Sequence, residues 1–126
     1  MTDVERTVLV VDDDPVILRL LEVNFEMEGF VVRTAADGEE GLASAKADRP
    51  DVIVSDVMMP KMNGLELVRG LKADPDTAGI PVILLSAKAQ ASDVRDGMDA
   101  GADDYVTKPF EPLDLVDRVT KLLPGS

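Results

Sequence analysis

The apolar residues of this chain change period again and again along its length, and that alternation limits the folds open to it. Thr7-Val8-Leu9-Val10-Val11, Phe30-Val31-Val32-Arg33-Thr34, Val52-Ile53-Val54-Ser55, Val82-Ile83-Leu84-Leu85 and Tyr105-Val106-Thr107 are short and rich in β-branched residues, which suits strands. The first, third and fourth are apolar on successive residues, as strands covered on both faces are. Between them the spacing becomes helical. Asp14 caps and Pro15 opens a helix in which Ile17, Leu20, Leu21 and Phe25 share a face until Gly29 stops it. Asp37 followed by Glu40 resembles a capping box that introduces a helix through Leu42 and Ala45. A third helix, Gly64 to about Lys72, buries Leu67, Val68 and Leu71, and Pro75 bars its continuation. A weakly apolar fourth runs from about Ser92 to Ala100 with Val94 and Met98 on one side, and the last begins at Pro112 and turns Leu115, Val116, Val119, Leu122 and Leu123 inward.

Five strand–helix units in this order predict an α/β, doubly wound fold, because each parallel connection needs a crossover and crossovers are right-handed. With 126 residues there is room for one domain, expected over 1–126 with a core at about 7–123. No internal repeat, low-complexity tract or linker interrupts it, and Pro124-Gly125-Ser126 reads as a frayed end. The first residues, Met1 to Arg6, are polar and acidic rather than those of a signal peptide, and no apolar run reaches membrane-spanning length. A cytoplasmic protein without membrane partners is expected.

Composition then narrows the chemistry. Thirteen Lys and Arg against twenty-five Asp and Glu give a formal net charge of -12, which disfavours direct contact with nucleic acid or anionic lipid. The aromatics Phe25, Phe30, Tyr105 and Phe110 are too scattered to stack bases. With neither cysteine nor histidine, thiolate catalysis, disulfides, serine–histidine triads and the commonest transition-metal ligands are excluded. Carboxylate chemistry remains.

In a sheet of this kind ligands bind beyond the carboxyl ends of the strands, where the strand order reverses. Asp12 and Asp13 end the first strand and Asp56 ends the third, so a 2-1-3-4-5 order would bring three carboxylates to one crevice. At spacings of about 5 Å and an effective dielectric of about 20, each pair would repel by roughly 3 kcal/mol. A counter-charge is needed, and oxygen-only ligands suit Mg²⁺, which binds one or two carboxylates together with a phosphoryl oxygen. Asp14 is explained by helix capping alone; one cap needs one side chain, which leaves Asp12 and Asp13 over. Lys108, ending the fifth strand, could supply a cation to a phosphoryl group and Ser86, ending the fourth, a hydroxyl. Read singly, a lysine before Pro109 is more often a solvated surface charge, Ser86 and Asp56 are as readily turn residues, and Tyr105 is as readily a half-buried sheet aromatic.

Val8-Leu9-Val10-Val11-Asp12-Asp13-Asp14-Pro15, Asp51-Val52-Ile53-Val54-Ser55-Asp56-Val57-Met58-Met59-Pro60 with Gly64, Ser86-Ala87, and Tyr105-Val106-Thr107-Lys108-Pro109-Phe110 together resemble the receiver domain of bacterial two-component response regulators. The resemblance spans essentially the whole chain. It implies a flavodoxin-like five-stranded parallel sheet of order 2-1-3-4-5 and a phosphorylation switch rather than an enzyme with a separate substrate. Asp56 would accept a phosphoryl group from a phosphohistidine of a sensor histidine kinase or phosphotransfer protein. Asp13, Asp56 and the Met58 carbonyl would ligate Mg²⁺, with Asp12 acting through water. Lys108 would pair with the phosphoryl oxygens from a cis Lys108-Pro109 peptide. Ser86 would move toward the new group and Tyr105 would follow it inward, changing the face made by the fourth helix, fifth strand and fifth helix that an effector protein or domain reads. Met58, large and apolar two residues after Asp56, would hinder the hydrolytic water and lengthen the phosphoryl lifetime.

The stretch from Gly101 to Phe110 is similar to receivers attached to winged-helix transcription factors, which dimerise through that same face. Asp99, Asp103, Asp104 and Arg118 could contribute to such pairing, whereas Val94 and Pro124 stand where basic partners would help; a phosphorylation-dependent homodimer is left open. No output domain follows Leu123, so a stand-alone regulator and an excised receiver are both open. Two other readings compete. Asp12-x-Asp14 also resembles the first motif of haloacid-dehalogenase-like phosphatases, with Asp103-Asp104 as a later metal motif, but this leaves Asp56 unexplained. A flavodoxin-like flavin-binding module would place phosphate on the loop after strand one, which here is three aspartates.

Overall fold

The computed structural model describes residues 5–124. The sequence readings that fall on residues 1–4 and 125–126 lie outside the described residues. Strands β1 (Thr7–Val11), β2 (Val31–Ala35), β3 (Val52–Asp56), β4 (Val82–Ser86) and β5 (Asp104–Thr107) alternate with helices α1 (Pro15–Met27), α2 (Gly38–Ala47), α3 (Gly64–Lys72), α4 (Ala91–Ala100) and α5 (Pro112–Leu122). The strands form one sheet in the order β2-β1-β3-β4-β5, every neighbouring pair parallel.

The period of two in β1 divides the interior. Val8 and Val10 face the layer containing Leu21, Phe25, Leu115 and Val119, so α1 and α5 cover that side. Leu9 and Val11 face Ala45, Leu67, Val68 and Leu71 on the other. All five residues of β3 and of β4 are buried, which accounts for their unbroken apolar runs. The chain starts in the middle of the sheet, runs outward to β2, then crosses back past β1 to β3. That reversal changes the face on which the crossover helix lies and leaves a crevice above β1 and β3.

Local chemistry fixes the helix starts. The Asp14 carboxylate accepts from Val16 N at 2.9 Å with Pro15 in the first helical turn. Asp37 accepts from Glu40 N at 2.8 Å, but the Glu40 carboxylate answers Ala36 N rather than the cap's own amide, so the expected box is displaced by one residue. Asn63 and Glu66 make the complete reciprocal box, on α3.

Two helical faces differ from the sequence reading. On α4 the buried residue is Gly97, while Met98 is 43% exposed. A Cβ on Gly97 would lie 2.8 Å from the Tyr105 ring, so the helix approaches β5 through its backbone rather than through apolar side chains. On α1, Leu21 and Phe25 are buried but Leu20 is 39% exposed. Leu20 precedes Leu21 by one residue, a turn of about 100°, and this carries it off the core face.

Candidate functional site

Registration builds the site. Val11 is paired with Ser55 across β1 and β3, so the next residues, Asp12 and Asp56, stand side by side at the carboxyl ends of their strands. Asp13 follows on the loop toward α1. One carboxylate oxygen from each of Asp12, Asp13 and Asp56 lies within 4.8 Å of the others. Asp12 and Asp56 are buried and Asp13 is exposed, so the cluster opens to solvent on one side.

Lys108 enters from the far edge. Ser86 of β4 pairs with Thr107 of β5, placing Lys108 one residue beyond the end of the sheet, and its peptide bond to Pro109 is cis. Its ammonium lies 3.2 Å from Asp12 Oδ2 and 3.5 Å from Asp56 Oδ1. The ammonium therefore pairs with two of the three clustered carboxylates. Asp14 N also donates to Asp12 Oδ1 at 2.9 Å, so Asp12 shapes the turn into α1 as well as the cluster. The β3–α3 connection bends back sharply above Asp56: Gly64 N donates to Val57 O at 2.9 Å, and a Cβ on Gly64 would fall 2.3 Å from the Asp56 carbonyl oxygen. Only glycine permits that approach.

Burial pushes the Asp12 carboxyl above the usual carboxylate range, with Asp14 N and Lys108 pulling the other way. The Asp56 carboxyl is raised first by burial and then by the charge of Asp12, against Lys108 and a hydrogen bond from the Met58 backbone. A carboxyl whose folded pKa exceeds its unfolded one binds its proton more tightly in the folded chain. Its contribution to stability is full below about pH 4 and is lost as pH rises through the raised value. With metal chelated, Asp56→Asn is therefore expected to be more stable than the unaltered protein at pH 7 by about 1–3 kcal/mol. The gap should close as pH falls toward 4. Urea unfolding across that range measures it, and a variant less stable at neutral pH would contradict the account.

The donor set fits a hard divalent cation. All three candidate side chains offer oxygen, one atom of each lies within 4.8 Å of the others, and hard divalent cations take oxygen donors. The net negative charge left after Lys108 supplies the drive. Met58, two residues beyond Asp56, is held at the same rim through its backbone, with its side chain 54% exposed.

Ser86 is fully buried and follows Leu85, the residue registered with Asp56. Its hydroxyl oxygen accepts from Lys88 N at 3.0 Å, and the Tyr105 hydroxyl donates to Lys88 O at 2.8 Å. The backbone at Lys88 thus links the two residues that the sequence reading had coupled. Sequence reasoning missed Lys88, because a main-chain link leaves no signature in side-chain identity. It also missed Lys61, a non-glycine residue at φ 66 in the β3–α3 loop whose ammonium lies 3.7 Å from Asp37 Oδ2.

Other candidates fall elsewhere. Asp103 Oδ2 accepts from Val82 N at 2.8 Å, at the amino end of β4 and the opposite pole from the cluster. Asp103 is therefore occupied in holding β4, and the later metal motif of a phosphatase is not assembled around Asp12. Arg118 is taken by Asp104 at 2.9 Å and Asp114 at 3.0 Å within the chain. Phe25 and Phe30 stack edge to face, centroids 5.4 Å apart, and join the apolar core rather than a flavin site.

A family model described as the response regulator receiver domain matches residues 8–120. The DNA-binding dual master transcriptional regulator RpaA of Synechocystis sp. is 45% identical over 116 residues, covering 92% of this chain and 48% of that protein. The DNA-binding response regulator MtrA of Mycolicibacterium smegmatis is 42% identical over 119 residues, 94% of this chain and 51% of its own. The chain thus spans about half the length of these relatives. Among solved structures, the chemotaxis response regulator CheY4 of Vibrio cholerae superposes with TM-score 0.90 at 34% identity, covering 95% of this chain and all of that one. The receiver domain of sensor histidine kinase PA1611 from Pseudomonas aeruginosa, solved with magnesium coordinated in its active-site cleft, gives 0.87 at 29% identity over 94% and 98%.

Proposed function

The chain belongs to the response regulator receiver domain family of two-component signalling, and from that premise we propose that Asp56 is its phosphoacceptor. The observation that carries this is the meeting of Asp12, Asp13 and Asp56 with the Lys108 ammonium where the sheet reverses. The proposed donor is a phosphohistidine on a sensor kinase or phosphotransfer protein. An Asp56 carboxylate oxygen forms the new O–P bond as the P–N bond breaks, and the leaving imidazole keeps the electron pair. Lys108 turns from its carboxylate partners toward the phosphoryl oxygens and offsets their charge. Asp13, Asp56 and the Met58 carbonyl are the proposed Mg²⁺ ligands, with Asp12 contributing through water; the bound ion supplies charge neutralisation that makes attack on an anionic donor feasible.

Phosphorylation adds charge of about -1.5 to -2 beside the Ser86 hydroxyl. Ser86 leaves its hydrogen bond from Lys88 N to donate to the phosphoryl group, and the Lys88 backbone, whose carbonyl accepts from Tyr105, carries the change to Tyr105. The proposed readout is the face of α4, β5 and α5, presented to an effector protein or domain. Residues 1–126 are proposed to act as a single receiver that catalyses only its own phosphorylation and dephosphorylation. The aligned stretch covers about half of the DNA-binding relatives, and the charge of -12 argues that this chain does not itself contact nucleic acid. Among the described residues no helix is long and apolar enough to cross a membrane, and the proposed location is the cytoplasm.

Incubation with Mg²⁺ and acetyl phosphate followed by peptide mass mapping tests the assignment: one phosphoryl group is expected, on the peptide carrying Asp56. Recovery of the label on Asp12 or Asp13 would refute it. Met58 offers a second check. Its side chain is exposed and its backbone is hydrogen-bonded to Asp56, and we propose that it hinders the hydrolytic water, so Met58→Ala is expected to shorten the aspartyl phosphate lifetime by about tenfold, equivalent to ~1.4 kcal/mol of barrier. The decay of the phosphorylated mass after donor removal reads this out, and equal lifetimes would remove Met58 from the account.

A further inference from the structure

The β3–α3 connection carries the Met58 carbonyl assigned above to Mg²⁺, and the inference drawn from it rests on that reading. Its two ends are tied within their own elements. At one, the Met58 backbone hydrogen-bonds the Asp56 carboxylate. At the other, Asn63 and Glu66 close the reciprocal box that starts α3, and Gly64 N donates to Val57 O. Between them the connection leans on the start of α2. Gly38 N donates to Met62 O at 3.2 Å, and a Cβ on Gly38 would fall 2.2 Å from that oxygen, so the two backbones meet with no side chain between them.

Lys61 adds charge to this contact. Its φ of 66 is a left-handed conformation that glycine enters freely and lysine only against steric resistance. The ion pair at 3.7 Å with Asp37 Oδ2 is an interaction that glycine there could not make. Asp37 is a prepared acceptor: its side chain is largely covered, and its Oδ1 is held by Glu40 N at 2.8 Å as the cap of α2. The partner of a long, exposed lysine is thus already fixed, so only one side chain has to be ordered to form the pair. The same β2–α2 turn reaches the other side of the carboxylate cluster, where Asp12 N donates to Ala35 O at 3.1 Å, two residues before Asp37.

We propose that Asp37 and Lys61 are positioning residues for the Mg²⁺ site. Asp37, set by α2, holds Lys61, and Lys61 holds the loop that presents the Met58 carbonyl. Neither side chain touches the ion or the phosphoryl group. Their effect passes through the backbone between Met58 and Met62, and it joins the start of α2 to the metal site without involving Ser86, Tyr105 or the α4–β5–α5 face.

Calorimetric titration with Mg²⁺ tests the pair. Lys61→Gln and Asp37→Asn each delete it, and the asparagine keeps an oxygen for the cap. Each is expected to weaken Mg²⁺ binding about threefold, the scale of one exposed ion pair. By charge alone, loss of a cation near the carboxylates would tighten Mg²⁺ binding, so the sign found for Lys61→Gln separates position from charge. The double variant is expected to lose about threefold again rather than about ninefold, because its second substitution removes a contact already gone. Lys61→Arg should restore the affinity. Lys61 lies on the surface and the cap is kept, so urea unfolding should show every variant folded. Binding by Lys61→Gln as tight as in the unaltered chain or tighter, or losses that multiply in the double variant, would overturn the proposal. Were the unaltered chain to bind no Mg²⁺, the function proposed above would fall with it, whereas Mg²⁺ held equally well by every variant removes the Asp37–Lys61 pair alone.

Discussion

Asp56→Asn is expected to lower phosphoryl incorporation from acetyl phosphate by on the order of a thousandfold or more, because the substitution removes the attacking oxygen and its charge while keeping the shape of the side chain. The size of the loss would mean little if the variant misfolded. Here the local electrostatics argue the reverse. Asp56 is buried beside Asp12 and its carboxyl is held above its usual range, so the neutral amide relieves the folded chain. Loss of labelling together with equal or greater resistance to urea separates chemistry from folding. Intact-mass spectrometry at matched donor and Mg²⁺ concentrations gives the measurement, and labelling of the variant at the unaltered rate would move the reaction to another carboxylate.

The features of the site that were legible in the sequence are those in which side-chain type and strand end coincide. Asp12 and Asp13 directly follow the residues of β1 and Asp56 is the last residue of β3, so placing the strands also placed the carboxylates, and the 2-1-3-4-5 order then made them neighbours. Lys108 was legible for the same reason, one residue past β5. The role of Asp14 as a cap could be separated from that of its neighbours because Pro15 marks the first turn.

What escaped the sequence was set by main-chain geometry or by tertiary competition. The Lys88 backbone, whose N–H and carbonyl tie Ser86 to Tyr105, depends on where the β4–α4 loop runs. Leu20 has the identity of a core residue and the spacing of one, yet one step of helix rotation turns it outward. The sequence records that α1 is apolar, but only the packed structure shows that its apolar residues divide between two faces. Asp103 read as a surface or metal acid, whereas it is needed to hold the amide of Val82 at the start of β4. A carboxylate near a strand end therefore has two possible employments, and which pole of the sheet it occupies decides between them.

Lys108→Ala should move two measurable quantities in opposite directions. The ammonium lies 3.2 Å from Asp12 and 3.5 Å from Asp56, so in the resting chain it competes with any divalent cation for the same oxygens. Removing it leaves the carboxylate cluster more negative, and Mg²⁺ is expected to bind several-fold more tightly, a gain of about 1 kcal/mol because solvent screens the partly exposed ammonium. Phosphoryl incorporation should nevertheless fall by about a hundredfold, because the transferred group then lacks the cation that would meet its oxygens. Calorimetric titration with Mg²⁺ and labelling at saturating metal read the two effects separately. If Lys108 only held the folded cluster together, both would decline, and lowering the pH to protonate Asp12 or Asp56 would recover metal-free stability without recovering labelling. A variant that bound Mg²⁺ more tightly and was labelled at the unaltered rate would show that the lysine balances the carboxylates at rest and takes no part in the transfer.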